Sequence, residues 1–364
     1  MMKALCYSKP NSIAWKSVPK PVIKLPGDVI GKVLATTICG TDLHIVKGHV
    51  PESTATAEAS PDKGLILGHE GIIQIVETGP SVSKFKQGDV CVVSCITSCG
   101  DCYYCAKDIQ AHCKKSEGGS GWILGHTIDG TQAEFVRIPF ADHSLYKAPQ
   151  SLSFDSLLML SDILPTAYEV GVLAGHVKKG DTVAIVGLGP VGLSALISAK
   201  ALEPAKIIAI DLDDSRLQVA KEMGADELIN SSKVDAKQQV HQLTTSDIKD
   251  SGVDVAIECV GLPPSFELCE ELIAPGGHIS NVGVHGSPVQ LQLQNLWGKN
   301  VSLSTGLVSA YSTQALLDKV LEKKISPEIL VTHHFKLDEF EKAYQVFGNA
   351  AANKAIKVVL GSDH

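Results

Sequence analysis

Four cysteines stand at Cys99, Cys102, Cys105 and Cys113, all within 15 residues. Four thiolates at this spacing suit a closed tetrahedral zinc site, with Gly100 letting the chain wrap tightly. A closed site leaves no position for a substrate, so its role is structural: it pins a loop with little core of its own. Two local disulfides are the alternative, which a reducing compartment disfavours. Elsewhere, Cys39 lies in Cys39-Gly40-Thr41-Asp42-Leu43-His44 and His69 in Gly68-His69-Glu70. Taken alone, either residue type is more often structural than a ligand. Cys91 and Cys95 fall in an apolar run and, with Cys6, Cys259 and Cys269, read as small core hydrophobes.

A second chemistry is written at Gly187-Leu188-Gly189-Pro190-Val191-Gly192. The strand-like run Thr182 to Val186 precedes it and a helix-like run from Leu193 to Lys200 follows. That context turns a weak glycine pattern into a dinucleotide signature. Gly187 permits the tight turn, Gly189 lets backbone approach a pyrophosphate, and Gly192 permits close packing of helix on strand. The helix N-terminus supplies free N–H groups to phosphate. Asp211 ends the next strand, 24 residues after Gly187, near the interval expected for a ribose-binding acid. Its carboxylate accepts from the ribose hydroxyls of NAD and repels the 2′-phosphate of NADP, with Asp213 and Asp214 adding to the repulsion. The expected cofactor is NAD.

The elements that must hold these groups follow from pattern. Further strands read at 253–258, 278–284 and 301–305, alternating with helical stretches, which gives a parallel doubly wound sheet. Ligands bind beyond the carboxyl ends of such strands. That puts Cys259, Val260, Gly261, Gly283 and Val284 beside the nicotinamide. The region from Val29 to about Leu160 is rich in strands and glycine. The chain has 364 residues, enough for two domains. Lys+Arg 32 against Asp+Glu 40 gives a charge of −8, with no basic footprint for nucleic acid. An apolar content of 44% excludes disorder. Thr182 to Ala199 carries no charge over 18 residues, about the length of a membrane span. Three glycines and Pro190 interrupt it, so it reads as strand, turn and helix. Met1 to Pro10 lacks a continuous apolar segment, and we expect a cytoplasmic protein without membrane partners.

The order Cys39-Gly40-Thr41-Asp42, Gly68-His69-Glu70, four-cysteine loop and Gly-rich turn resembles the medium-chain, zinc-dependent alcohol dehydrogenases, from Lys3 to about Leu360. The resemblance implies an α/β chain with a GroES-like β-rich catalytic domain, 1–164 and 306–364, and a Rossmann NAD-binding domain, 165–305. The active site would lie in the cleft between them. It implies two zinc ions per chain, one structural and one catalytic. Cys39 and His69 match two catalytic ligands. The third falls at the end of the catalytic domain, where one branch of the family has a second Cys. No Cys occurs between Cys113 and Cys259, and the matching segment Leu160 to Tyr168 offers Asp162. An N-cap role for Ser161 or Asp162 is the local alternative. Glu70 is similar to a family residue that approaches the metal. Zinc acts as a Lewis acid on a bound alcohol. Thr41 and His44 match a relay that carries the alcohol's proton, by way of the cofactor ribose, to the surface.

Arg216 resembles a basic residue near the adenosine, and Lys354 one near the pyrophosphate. Ile73 departs from the pattern, which has Gly there. Helices are expected at Ser312–Lys323 and Leu337–Phe347. The run Trp122 to Phe135, with Asp162, resembles the secondary-alcohol branch, which favours small secondary alcohols and their ketones; polyol, diol or formaldehyde oxidation is the alternative. Leu296, Trp297 and Leu307 are pocket candidates, with core packing an equal explanation. The short Cys113 to Gly130 segment resembles the tetrameric type, with a dimer as the alternative. A catalytically idle NAD-binding protein is the rival from another class, and it should have lost a ligand or the relay.

Overall fold

A computed structural model describes residues 1–245 and 251–361. The chain divides into two compact units. One comprises Met1–Asp162, Ser309–Leu321 and Val331–His364, and the other Ile163–Val308 with Glu322–Leu330. The sequence placed all of 306–364 with the catalytic region. Glu322–Leu330 instead belongs to the second unit, because its 3-10 turn Pro327–Leu330 packs on the helix Pro190–Lys200 and buries Ile325 and Leu330.

The first unit is built on a seven-stranded sheet. Its order is Val331–Lys336, Lys357–Gly361, Val29–Thr37, Gly71–Thr78, Val90–Val93 and Leu145–Lys147, with Phe135–Ile138 also pairing to Val29–Thr37. The strand Gly71–Thr78 buries Ile72, Ile73 and Ile75, so it is covered on both faces. Ile73 occupies space that the facing strand leaves open. A Cβ on Gly31 would come within 2.5 Å of its Cδ1, so bulk at 73 is matched by its absence at 31. A smaller sheet, Ser12–Val18, Met2–Lys9 and Leu65–Ile66, lies beside a core of Leu5, Tyr7, Ile38, Phe340 and Leu360. The tail helices run Thr313–Leu321 and Phe340–Gly348. The second starts three residues later than the pattern suggests, because the Glu339 carboxylate accepts from Lys336 N–H and closes a turn ahead of it.

The second unit holds a six-stranded parallel sheet in the order Glu227–Asn230, Lys206–Asp211, Thr182–Val186, Val253–Glu258, Ile273–Asn281 and Ser302–Thr305. The uncharged stretch resolves into the strand Thr182–Val186 and the helix Pro190–Lys200, buried from Gly192 to Ala199. Among the described residues no helix is long and apolar enough to cross a membrane. Gly187 has φ +91°, and a Cβ on Gly192 would lie 1.8 Å from its carbonyl oxygen, so the turn closes only with glycine at both positions. After Asp162 the chain makes a short helix, Ile163–Thr166, and then a π-helical segment, Ala167–Leu173. The Ser280 hydroxyl donates to the Val170 carbonyl within it.

Phe340 is fully buried, its ring centroid 5.1 Å from that of Trp15. Phe340→Ala should cost about 3–5 kcal/mol, seen as a lower urea midpoint for the transition of the first unit.

Candidate active site and metal centres

Cys39 precedes the helix Gly40–Val46 in extended conformation, and its N–H donates to Asp42 Oδ2 at 2.9 Å. This box fixes the thiol at the helix entrance. The Asp42 carboxylate is buried; it also accepts from Gln132 Nε2 at 3.1 Å, and Tyr344 Oη donates to Gln132 Oε1 at 2.8 Å. Asp42 Oδ1 stands 3.8 Å from His69 Nδ1. The other ring nitrogen, Nε2, faces Asp162 Oδ2 at 3.3 Å and Glu70 Oε1 at 3.9 Å. Cys39 Sγ lies 3.7 Å from the same Asp162 oxygen. One donor atom from each of Cys39, His69, Glu70 and Asp162 falls within 4.8 Å of the others. Asp162 is anchored through its neighbour, since Cys95 N–H donates to the Ser161 carbonyl. The side chain of Asp162 turns into the cluster.

Glu70 has a partner that sequence reading overlooked. Lys357 Nζ lies 2.6 Å from Glu70 Oε1, and both side chains are 1% exposed. The ammonium also donates to the Ile38 carbonyl. Asp42, Gln132 and Tyr344 escaped notice for a different reason. Nothing local marks Tyr344, and the roles of Asp42 and Gln132 appear only once three distant segments meet. Lys357 did leave a signal: it is the one cation in the apolar run Ala355-Ile356-Lys357-Val358-Val359-Leu360.

The site favours positive charge. Burial opposes protonation of His69, but the hydrogen bonds to Asp162 and Cys39 and the nearby charges outweigh it and hold its pKa well above the ordinary value. Burial raises the Asp42 and Glu70 carboxyls, the latter despite Lys357. Asp42 Oδ1 and Glu70 Oε2 are buried without a hydrogen-bond donor. A thiolate, an imidazole and carboxylates converging on one point are the donors zinc takes, so these residues fit that ion.

The second cluster is the four-cysteine loop. Cys99, Cys102, Cys105 and Cys113 place their sulfurs within 4.8 Å of one another. All ten cysteines are free thiols, so the disulfide alternative does not hold. Hydrogen bonds from the backbone of Cys105 and Lys114 lower Cys102 to about 6. For Cys113 burial pushes upward, but the bonds from Ser116 and the backbone prevail and lower it. Burial raises Cys99 and Cys105 instead, so two of the four have by themselves the thiolate character a metal ligand needs.

Thr41 sits half-buried in the first turn of the Gly40–Val46 helix, and His44 is exposed one turn on. In the second unit the Asp211 carboxylate accepts from Leu188 N–H at 2.6 Å, inside the Gly-rich turn, and from Leu212 and Asp213 N–H. Arg216 Nη1 lies 3.9 Å from it. Glu258, fully buried, accepts from the N–H groups of Val260 and Gly261 and from the Ser265 hydroxyl. A Cβ on Gly261 would strike the Val284 carbonyl at 2.4 Å. The loops carrying Cys259–Gly261 and Gly283–Val284 are therefore brought together at the carboxyl edge of the sheet. Cys259 is only half-buried, unlike Cys6, Cys91, Cys95 and Cys269, because it opens the first of these loops. Lys354 ends the helix Ala350–Asn353 in left-handed backbone, exposed, and the buried cation of that tail is Lys357. Leu296 joins the second unit's core, whereas Trp297 and Leu307 are exposed.

Residues 25–150 match the alcohol dehydrogenase GroES-like domain, and residues 190–322 the zinc-binding dehydrogenase domain. A zinc-type alcohol dehydrogenase B of Aspergillus flavus is 33% identical over 98% of this chain and 81% of its own. An alcohol dehydrogenase of Cupriavidus necator is 32% identical over 96% of each chain. Among solved structures, the apo form of zinc dependent alcohol dehydrogenase 2 from Streptococcus pneumonia superposes with a TM-score of 0.90. It is 48% identical, covering 100% of this chain and 99% of that one. The chain belongs to the medium-chain, zinc-dependent alcohol dehydrogenase family and is an oxidoreductase of that class.

Removing one partner of a buried ion pair strands the other charge. Lys357→Met should lower stability by about 3–5 kcal/mol. Adding Glu70→Gln should recover most of the loss in urea titrations. A double variant no more stable than Lys357→Met would show that the ammonium acts through packing alone.

Proposed function

We propose that this protein oxidises small, largely apolar secondary alcohols to ketones with NAD, reversibly. The observation that carries the reading is the convergence of Cys39, His69 and Asp162 on one point, with Glu70 beside them. When bound there, zinc would lower the pKa of an alcohol hydroxyl toward 7, and the nicotinamide would take the hydride. Cys39, His69 and Asp162 hold the ion, and the Asp42 carboxylate faces His69 Nδ1 from behind. Thr41, two residues from Cys39, takes up the alcohol's proton, and His44 at the surface acts as its outlet. The loop held by Cys99, Cys102, Cys105 and Cys113 carries the second, structural zinc.

For the cofactor, support comes from Asp211 lying against the Gly-rich turn. A carboxylate there suits ribose hydroxyls and repels a 2′-phosphate. The turn Gly187–Gly192 and the loops at Cys259–Gly261 and Gly283–Val284 receive the pyrophosphate and the nicotinamide, with Arg216 toward the adenosine and Lys354 toward the phosphates. The secondary-alcohol preference is supported by Asp162 in place of a second thiolate and by the run Trp122 to Phe135. Within that run, Thr131 donates to the Glu70 carbonyl and Gln132 to Asp42. A homotetramer, or failing that a dimer, is supported by the edge strand Ser302–Thr305. Leu303 on it is exposed, as are Leu293 and Trp297 in the preceding segment. Ten free thiols support a reducing, cytoplasmic setting.

The test is NADH formation across ethanol, 2-propanol, 2-butanol, 2,3-butanediol, sorbitol and formaldehyde, before and after a zinc chelator. The 2-alkanols should turn over fastest, and the chelator should abolish activity. Fastest turnover of sorbitol or formaldehyde would discard the substrate and keep the site. Cys39→Ala and His69→Ala should each lose at least about a thousandfold in turnover with NAD affinity nearly unchanged. Undiminished turnover in either would reject the site.

A further inference from the structure

The helix carrying Thr41 and His44 ends in a turn that brings a second imidazole onto the first. Lys47 follows the last helical residue, Val46, and Gly48 then takes φ +78°. Gly48 N–H donates to the Ile45 carbonyl at 2.8 Å and His49 N–H to the His44 carbonyl at 2.9 Å. This pair of bonds is the Schellman motif, which sets the residue after the glycine beside the one five places earlier. An apolar contact usually fills that spot. Here it holds two histidines, with Nδ1 of His44 and Nδ1 of His49 3.3 Å apart and ring centroids 5.5 Å apart. The turn is clamped from outside, since a Cβ on Gly48 would come within 2.7 Å of Pro10 and Asn11 N–H donates to the Val46 carbonyl.

From this geometry we infer that His49 is a positioning residue that takes the proton onward from His44, so the outlet is a pair of imidazoles. The inference rests on the reading of His44 as the outlet for the alcohol's proton. One Nδ1 donates to the other. With His44 as donor, its Nε2 carries a lone pair and can accept a proton. The ring then passes its Nδ1 proton to His49 Nδ1, and His49 releases its own Nε2 proton to water. One proton enters, one leaves, and both rings end neutral with their tautomers exchanged. Both side chains are exposed, so ring rotation or exchange with water resets the pair. The charges that act on His44 are His49 and Lys47; burial first, then these two, keep its pKa below the ordinary value, which leaves it a neutral base near pH 7.

The test is the burst rate of NADH formation from 2-propanol between pH 5.5 and 9, in the wild type, His44→Gln, His49→Gln and the double variant. Near pH 6.5, His49→Gln should slow the burst about tenfold, with KM for 2-propanol and affinity for NAD unchanged. Added imidazole should restore it, and the double variant should be no slower than His44→Gln. A His49→Gln burst equal to wild type beside a slow His44→Gln overturns the role of His49 alone. Effects that multiply in the double variant overturn it too. A His44→Gln burst with wild-type rate and pH profile overturns the underlying reading of His44.

Discussion

Lys357 Nζ and Glu70 Oε1 meet in a place where water does not reach, and beyond Glu70 lie the Asp162 carboxylate, the Cys39 thiol and the His69 ring. Burying ionised groups costs several kcal/mol each unless opposite charge and hydrogen bonds offset it. With Asp42 the place holds three carboxyl groups and the Cys39 thiol around one ammonium, and it draws a proton onto the His69 ring. The cluster therefore suits a cation at the point where Cys39, His69 and Asp162 converge, which would take the proton's place. Much of the first unit can be read as the scaffolding that makes this arrangement reproducible. The strands Gly71–Thr78 and Lys357–Gly361 flank Val29–Thr37 on its two sides, which brings Glu70 and Lys357 to one end of the sheet.

The same economy appears in the layer behind Cys39, His69 and Asp162. Asp42 closes the start of a helix, takes a hydrogen bond from Gln132 and faces the outer nitrogen of His69. Each added bond fixes the carboxylate that the imidazole faces. A carboxylate held behind the ring favours Nε2 facing the cluster, as a three-ligand metal site would require. The four-cysteine loop follows another logic. Its four thiols come from one short stretch, so a metal there would substitute for a core the loop lacks.

Arrangements built from adjacent residues were legible: the Gly-rich turn between strand and helix, and the four clustered cysteines. Cys39 and His69 needed the family resemblance, because neither residue type is diagnostic by itself. Asp162 needed it more, since an aspartate ahead of a helical segment has an ordinary capping role. Tyr344 was invisible because its contact spans 212 positions. The His44–His49 pair was missed for a local reason. The sequence HIVKGH carries the glycine that ends the helix, yet the pairing appears only when the backbone is followed through the turn. Domain edges were blurred where a tail crosses between units, as at Glu322–Leu330.

Alcohol oxidation by this protein requires a metal at the Cys39–His69–Asp162 cluster if these residues act as proposed. The most direct measurement is an anomalous difference map collected at the zinc absorption edge from crystals of the purified protein. We expect two peaks per chain, one among Cys39, His69 and Asp162 and one among Cys99, Cys102, Cys105 and Cys113. A peak confined to the four-cysteine loop, with the first cluster empty in protein that turns over alcohol, would contradict the account.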